Sequence, residues 1–500
     1  MQIHPLIAID SYKLGHMVMY PENIANIYVN MTPRSLRHFS KLIPEGFNYD
    51  NKIVAFGMDM AFKEILHNWQ TQFFDKPFDY SWEIFARTVP PFIGDAEDYL
   101  ANTKTVLKYL HSLGNLPLVI KTLPEGSLIP VKTPVLTIRL KDGIDKMLKW
   151  LPTYLETQVS QNTWKPMTAA TVVRLYRKIF EYWADKTCDD HSHVMFQGHN
   201  FADRGLAGTE DAIRCGIAHL TQSNGSDSVH SVYAAQAIFN YSSPFFAASV
   251  PATEHSVMQL NIKAANERET IKAIIKAYPK GIVSVVSDTE DYWKVISETL
   301  PSLKDEILAR QPDSQDLCKY VVRPDSGDPV DVICGTIKEP KINPTTPQAK
   351  GTIELLWDTF GGTVNSKGYK VLNPKIGCIY GDSITPARAH EICKRLEAKG
   401  FASSNIIFGI GSYSLGFHSR DTLGLAIKAT AAWTDKGKLI PVQKTVITDP
   451  TKVSAIGLLH VDENFNLKVN VTPEEEATGM LKPYTPQPSD FEEIRARARA

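Results

Sequence analysis

The chain has 500 residues, 43% of them hydrophobic and 22% charged. That composition supports a large core and excludes a disordered or collagen-like chain. Lys and Arg total 54 against 55 Asp and Glu, a net charge of -1, so the whole chain lacks the basic excess with which a non-specific nucleic-acid binder neutralises phosphates.

Residues 1–165 predict a mixed α+β domain, completed by the C-terminal segment 430–500. Ile27-Tyr28-Val29 reads as a strand. Val106 to Leu113 reads as a helix, because Leu107, Leu110 and Leu113 recur at helical spacing. Leu118 to Leu140 reads as strands broken at Pro124-Glu125-Gly126 and at Pro134.

Residues 166–429 predict an α/β barrel carrying the active site. Short apolar runs recur at Val194-Met195-Phe196, Ser231 to Ile238, Ile282 to Val286, Tyr320 to Val322, Ile376 to Tyr380, Ile406 to Phe408 and Leu423 to Ile427. Helical stretches separate several of them: Gly208 to Leu220, Glu267 to Tyr278, Tyr292 to Leu300 and Pro386 to Lys399. Such alternation indicates a parallel sheet buried on both faces. The number of units fits an irregular (β/α) barrel better than an open sheet. Lys338 to Gly351 reads as an inserted loop, and Ser489 with Glu492 as a capping box opening a terminal helix.

The turns after the apolar runs carry the chemistry. Ser287-Asp288, Arg323-Pro324-Asp325-Ser326-Gly327, Gly381-Asp382-Ser383 and Gly409-Ile410-Gly411-Ser412 each follow a run. Val194 to Phe196 leads into His199-Asn200-Phe201 and Arg204. Barrel enzymes gather their active sites at the carboxyl ends of the strands. Small residues there let backbone N–H groups approach an anion, which makes Gly381, Gly411 and Ser412 phosphate-site candidates. Aspartates on the same rim would hold a hydrated Mg²⁺ or sugar hydroxyls. The plainer reading is that Asp and Gly only punctuate turns; it explains one turn well and four in succession poorly.

Other features are quieter. His191 and His193 form an HxH pair, but it precedes an apolar run and so sits at the wrong end of a barrel strand for a metal centre. The six cysteines include no CxxC pair and read as thiols of a reducing, cytoplasmic protein. No basic n-region precedes Leu6-Ile7-Ala8-Ile9, and the uncharged stretch Ser231 to Thr253 is too polar to span a bilayer. Arg34, in the basic segment Thr32 to His38, and Arg420 and Lys428 are candidate donors to a diphosphate.

Taken in order, Asp10-Ser11-Tyr12-Lys13, His199-Asn200-Phe201 with Arg204-Gly205, Gly225-Ser226-Asp227, Ser249-Val250-Pro251-Ala252 with Glu254-His255, Ser284 to Asp288, Arg323 to Gly327, Gly381-Asp382 and Arg420-Asp421 resemble the nicotinamide phosphoribosyltransferase family of type II phosphoribosyltransferases. The resemblance spans nearly the whole chain. It implies a homodimer with shared active sites that converts nicotinamide and phosphoribosyl pyrophosphate into nicotinamide mononucleotide and pyrophosphate for NAD salvage, with Mg²⁺ as cofactor. It implies no nucleic-acid or membrane partner.

By the same resemblance, Phe201 and Tyr12 of a second subunit sandwich the pyridine ring, with Arg204, Ser249 and Ser284 beside it. Asp288 and Asp325 face the Mg²⁺–pyrophosphate, Asp325 holds the ribose hydroxyls, Gly381, Gly411 and Ser412 receive the 5′-phosphate, and Asp382 is a further substrate-binding residue. Arg34, Arg323, Arg420 and Lys428 neutralise the phosphates. ATP phosphorylates His255, which Glu254 would orient. Asp227 would accept a hydrogen bond from a carboxamide and repel a carboxylate, favouring nicotinamide over nicotinate. A nicotinate-preferring transferase, a non-catalytic nucleotide sensor and a metal-dependent hydrolase are the rivals. Two departures from the family pattern stand out: Gly409-Ile410-Gly411 in place of three glycines, and Ala202-Asp203 before Arg204.

Overall fold

The structure, a computed structural model, describes residues 3–94, 96–242, 246–336, 345–445 and 453–500. Its first long strands are β1 (Ile24–Pro33), β2 (Leu118–Thr122) and β3 (Leu136–Leu140). Burial alternates strictly along β2, as the pleat of a half-covered strand requires. The expected helix at Val106 to Leu113 begins ten residues earlier, at Ala96. Its first turn carries Glu97 and Asp98, whose charges suit a helix N-terminus.

Helix α1 (Glu156–Thr187) then crosses the molecule. Its residues from Met167 to Tyr176 are buried on every side, the signature of a helix enclosed by other layers. One hydrophobic core runs continuously from the strands on one side of it to those on the other.

The second half supplies β4 (Gly198–Asn200), β5 (Gly225–Ser226), β6 (Gly281–Val286), β7 (Cys318–Arg323), β8 (Ile376–Tyr380) and β9 (Ile406–Ile410). They form a parallel sheet in the order β5-β4-β9-β8-β7-β6. An irregular segment joins its two edges. Ser226 N donates to Ala248 O at 3.0 Å, and Ser284 N donates to Pro251 O at 2.9 Å. Parallel bridges pair Gly225 with Ala248 and Ala252 with Ser284. The curled sheet is thereby a ring with one ragged stave, the irregular barrel expected from the alternation.

The chain then returns through β10 (Leu425–Thr434), β11 (Leu439–Pro441) and β12 (Lys482–Pro483) to the first strands. The antiparallel sheet has the order β11-β10-β1-β3-β2-β12. The expected division at 165/166 falls inside α1, and that at 429/430 inside β10.

Several local expectations are corrected. Val194 to Phe196 is a helical turn, Val194–Gln197, and the strand begins after it at Gly198. Ser231 to Ile238 belongs to helix α2 (Val229–Ile238). Short apolar runs do not separate helix from strand by periodicity, and Ala234, Ala235 and Ala237 bring strong helix propensity to this one. Leu423 to Ile427 leads into β10, which pairs antiparallel with β1 rather than joining the ring. The terminal helix Phe491–Arg499 is capped by Asp490, while Ser489 donates to Asp59 at 2.5 Å. Of the expected loop Lys338 to Gly351, residues 338–344 lie outside the described residues, and Pro347–Lys350 is a helical turn. Among the described residues no helix is long and apolar enough to cross a membrane.

Candidate active site

Strand register decides which side chains enter the ring. Residues two apart share a face. On β7 the inward set is Lys319, Val321 and Arg323, since a side chain at Gly377 on β8 would strike Lys319 and lie beside Val321. On β4 the same rule puts His199 and Phe201 together, and their rings meet at 5.2 Å between centroids.

Phe201 lies against bare backbone. A Cβ at Gly409 would come within 2.4 Å of its ring, and one at Gly381 within 3.0 Å. The two glycines after β8 and in β9 are therefore the space the aromatic ring occupies. The departure at Ile410 does not fill that space. Ile410 is buried and its O accepts from Phe201 N at 3.0 Å.

The acidic rim is tightly tied. Asp288, whose side chain is only 5% exposed, accepts from His255 Nε2 at 3.1 Å through one oxygen. Its other oxygen accepts from Asp325 N at 3.0 Å and from the Ser326 hydroxyl. The turns after β6 and β7 are thus joined through one carboxylate. Tyr380 supports them from below by donating to Gly327 O at 3.0 Å. Its phenol is pushed up by burial first, then by the charges of Asp382, Asp325 and Asp288. His255 opens helix α3 (His255–Ala264). Its orienting carboxylate is Asp288; Glu254 accepts from the Ser256 hydroxyl instead.

Beside β4, Asp227 Oδ1 accepts from His199 Nε2 at 2.8 Å and from Ser249 Oγ at 2.5 Å. Burial pushes this carboxyl up, but the His199 and Ser249 hydrogen bonds and the Arg323 charge outweigh it and hold the group below the usual carboxylate range. Arg323 donates to Thr253 O at 2.9 Å. Arg323 Nε and Ser284 Oγ are buried without a hydrogen-bond partner among the described residues. Orphaned donors on the inner face of a ring mark where a polar ligand belongs. Arg204 is exposed in the turn Asp203–Gly205, whose Gly205 lies against Ser412. Gly411 has open space on its Cβ side.

The remaining expected residues collect elsewhere, around the β1–β10 pair of the antiparallel sheet. Arg34 donates from its N and Nε to Leu423 O and Gly424 O, both at 3.1 Å. Lys428 faces Asn30 across the register. Burial lowers the Lys428 ammonium; Glu156 opposes that, and Arg34 and Arg420 reinforce it. Tyr12 is exposed, and its phenol is raised by burial, Glu156 and Asp10 and lowered by Arg420. Arg34 and Arg420 thus act on Lys428, and Arg420 on Tyr12, so these residues form a second, basic group.

The HxH pair lies at the other end of β4, before the strand begins. His191 pairs with Asp185 at 2.9 Å, and His193 lies 3.9 Å from Cys188 Sγ. Among the described residues no group of three or more His, Cys, Asp or Glu side chains is arranged to hold a metal by itself. Three contributors escaped the sequence reading: Ser326, Thr253 and, as a partner of Asp227, His199. For His199 the signal was present, since it stands two residues before Phe201 on the same strand face.

The chain matches the nicotinate phosphoribosyltransferase (NAPRTase) family over residues 196–472. It is 42% identical to a protein from Acinetobacter baylyi named nicotinamide phosphoribosyltransferase, covering 96% of this chain and 93% of that protein. A Mycoplasma pneumoniae protein of the same name is 35% identical, with 90% and 94% covered. Among solved structures, the nicotinate-nucleotide pyrophosphorylase from Pyrococcus furiosus shares the fold, with a TM-score of 0.52 at 13% identity over 99% of this chain and 95% of that one.

Proposed function

The chain belongs to the nicotinate phosphoribosyltransferase family, and from that premise we propose that it is a pentosyltransferase acting on nicotinamide. It joins nicotinamide to phosphoribosyl pyrophosphate and releases nicotinamide mononucleotide and pyrophosphate, a step of NAD synthesis. Relatives of that name over nearly the full chain support the reaction. The observation that carries the choice of base is Asp227. Its carboxylate is held ionised beside β4 with half of the side chain exposed, where an amide N–H₂ finds an acceptor and a carboxylate finds repulsion.

The reaction asks little acid or base of the protein. The pyridine nitrogen attacks the anomeric carbon, the bond to pyrophosphate breaks, and its electron pair leaves with the pyrophosphate. Catalysis is then positioning and charge stabilisation. Phe201 offers a ring face fixed by Gly381 and Gly409. Ser284 and Arg323 offer unpaired donors. Asp325 takes the ribose hydroxyls, and the backbone at Gly381, Gly411 and Ser412 with Asp382 surrounds the 5′-phosphate.

A Mg²⁺ suits this rim as a substrate-borne ion, held by one or two carboxylates plus phosphates and water. Asp325 is the more open ligand and Asp288 the inner one, already bonded through both oxygens. The ion supplies charge neutralisation for the leaving group.

The basic group is read as the half-site a second copy contributes, Tyr12 closing the pyridine sandwich and Arg34, Arg420 and Lys428 meeting the phosphates. Tyr12, Val18, Met19, Val229, Tyr233 and Phe417 are exposed apolar side chains that a second copy would be able to cover. ATP is read as the phosphoryl donor to His255. With Nε2 on Asp288, the Nδ1 lone pair attacks the γ-phosphorus, the bond to ADP breaks, and Asp288 keeps the proton on Nε2. Six free thiols suit a cytoplasmic protein.

Incubation with nicotinamide, phosphoribosyl pyrophosphate and Mg²⁺ is expected to yield the mononucleotide. A protein that consumes only nicotinate is instead the nicotinate-preferring enzyme. Adding ATP is expected to raise the yield, and His255→Ala to erase that rise while basal transfer persists; an undiminished rise overturns the phosphorylation.

A further inference from the structure

Asp227 owes its use as an amide acceptor to its neighbours. Both protein donors, His199 Nε2 at 2.8 Å and Ser249 Oγ at 2.5 Å, bond to the same oxygen, Oδ1. Oδ2 has no protein donor among the described residues, in a side chain that is half exposed. A carboxylate held through one oxygen presents the other in a fixed direction.

His199 is itself a rigid donor. Its side chain is 12% exposed. Its ring lies over Gly225, where a Cβ would come within 2.7 Å of Nδ1 and 3.3 Å of Gly198 O. The backbone keeps donor and acceptor in step: β4 pairs with β5 through His199↔Gly225, and Asp227 N donates to Asn200 O at 3.1 Å. The same imidazole meets the Phe201 ring at 61°. One side chain thus touches both the group that stacks on the pyridine and the group that reads its amide.

We infer that His199 is a positioning and specificity-determining residue, which locks Asp227 Oδ1 so that Oδ2 receives the carboxamide N–H₂. The inference rests on the reading that Asp227 takes the amide of the base. Ser249, on the exposed segment that bridges the ring, is the lesser lock, because it holds Asp227 from a stave with few backbone bonds. Supporting groups that orient a binding side chain carry much of a site's precision.

The test compares His199→Leu, His199→Ala and His199→Gln, because a glutamine amide N–H reproduces the Nε2 donor. The readouts are KM for each substrate and the nicotinamide-to-nicotinate ratio of kcat/KM. Loss of one hydrogen bond to a charged group predicts about a tenfold fall in that ratio for His199→Leu and His199→Ala, carried by KM for nicotinamide, with KM for phosphoribosyl pyrophosphate little changed. His199→Gln is expected to retain most of the preference.

In an Asp227→Ala background, His199→Leu is expected to change the ratio no further, whereas a purely structural histidine would depress both backgrounds alike. Should the leucine variant fail to fold, the alanine and glutamine pair decides. An unchanged ratio in the folded donorless variants, or a glutamine variant as impaired as they are, overturns the inference. If Asp227→Ala itself leaves the ratio unchanged, the amide reading fails; if it lowers the ratio while His199→Leu does not, only the role of His199 fails.

Discussion

The rim of the parallel ring and the β1–β10 region of the antiparallel sheet are chemical opposites. The rim gathers Asp288, Asp325, Asp382 and Asp227 around glycine backbone. The β1–β10 region gathers Arg34, Arg420 and Lys428 beside an exposed Tyr12. Their internal wiring differs as well. On the rim, Asp288 and Asp227 are bonded to neighbouring segments, which fixes those two charges in place. Of the basic groups, Arg34 bonds to the Gly424 carbonyl and Lys428 to that of Ile427, while Arg420 lies 3.8 Å from the Asp421 carboxylate. The proposed shared site would bring both kinds of surface to one point, because one chain carries them on separate parts of its fold.

The largest effect is expected at the rim. Asp325→Ala should lower kcat/KM by about a thousandfold, the scale of losing a preorganised electrostatic contact. Steady-state assay of the purified variant checks this; a loss under tenfold would remove Asp325 from the machinery. In the β1–β10 region, Arg420→Ala should cost roughly ten- to a hundredfold, the worth of a hydrogen bond to a charged group.

Mixing those two impaired proteins sharpens the comparison. If sites are shared, half of the re-formed dimers carry one intact site, and activity should return to about a quarter of wild type. No recovery after denaturation and refolding together would mean that each chain works alone.

Asp227→Ala should reduce the nicotinamide-over-nicotinate preference by roughly ten- to a hundredfold, measured by competition between the two bases.

The smallest effect concerns stability. Burial lowers His219 to about 3, in the ring half, and His4 to about 4, beside the other sheet. Both fold as neutral rings. The unfolded chain takes up their protons below about pH 6.5 while the folded chain does not, so stability falls as pH drops from there toward each folded value. Each proton contributes a slope of about 1.4 kcal/mol per pH unit. Denaturant melts of His219→Gln and His4→Gln should each show a shallower acid loss, and the window should extend lower for His219. Parallel slopes in variant and wild type would show that neither ring stays neutral.

Much of this was readable from residue order. The four turns after Val286, Arg323, Tyr380 and Ile410 lie on the same ring as expected, because β-branched runs buried on both faces have few other homes. Reading failed where a run was short and its partner distant. Ser231 to Ile238 folds as a helix on the strength of its alanines, and Leu423 to Ile427 pairs with β1 nearly four hundred residues earlier.

Residue order alone therefore carried the family, the strand-and-turn alternation and the list of charged groups, since these follow from local patterning. Tertiary structure decided which groups meet. It gave His255 to Asp288 rather than to adjacent Glu254, hung Asp227 from His199 and Ser249, and put Lys428 on the other sheet with Arg34 just beyond a strand of it. A side chain's partner depends on register and ring closure between segments far apart in the chain, and no local pattern encodes that geometry.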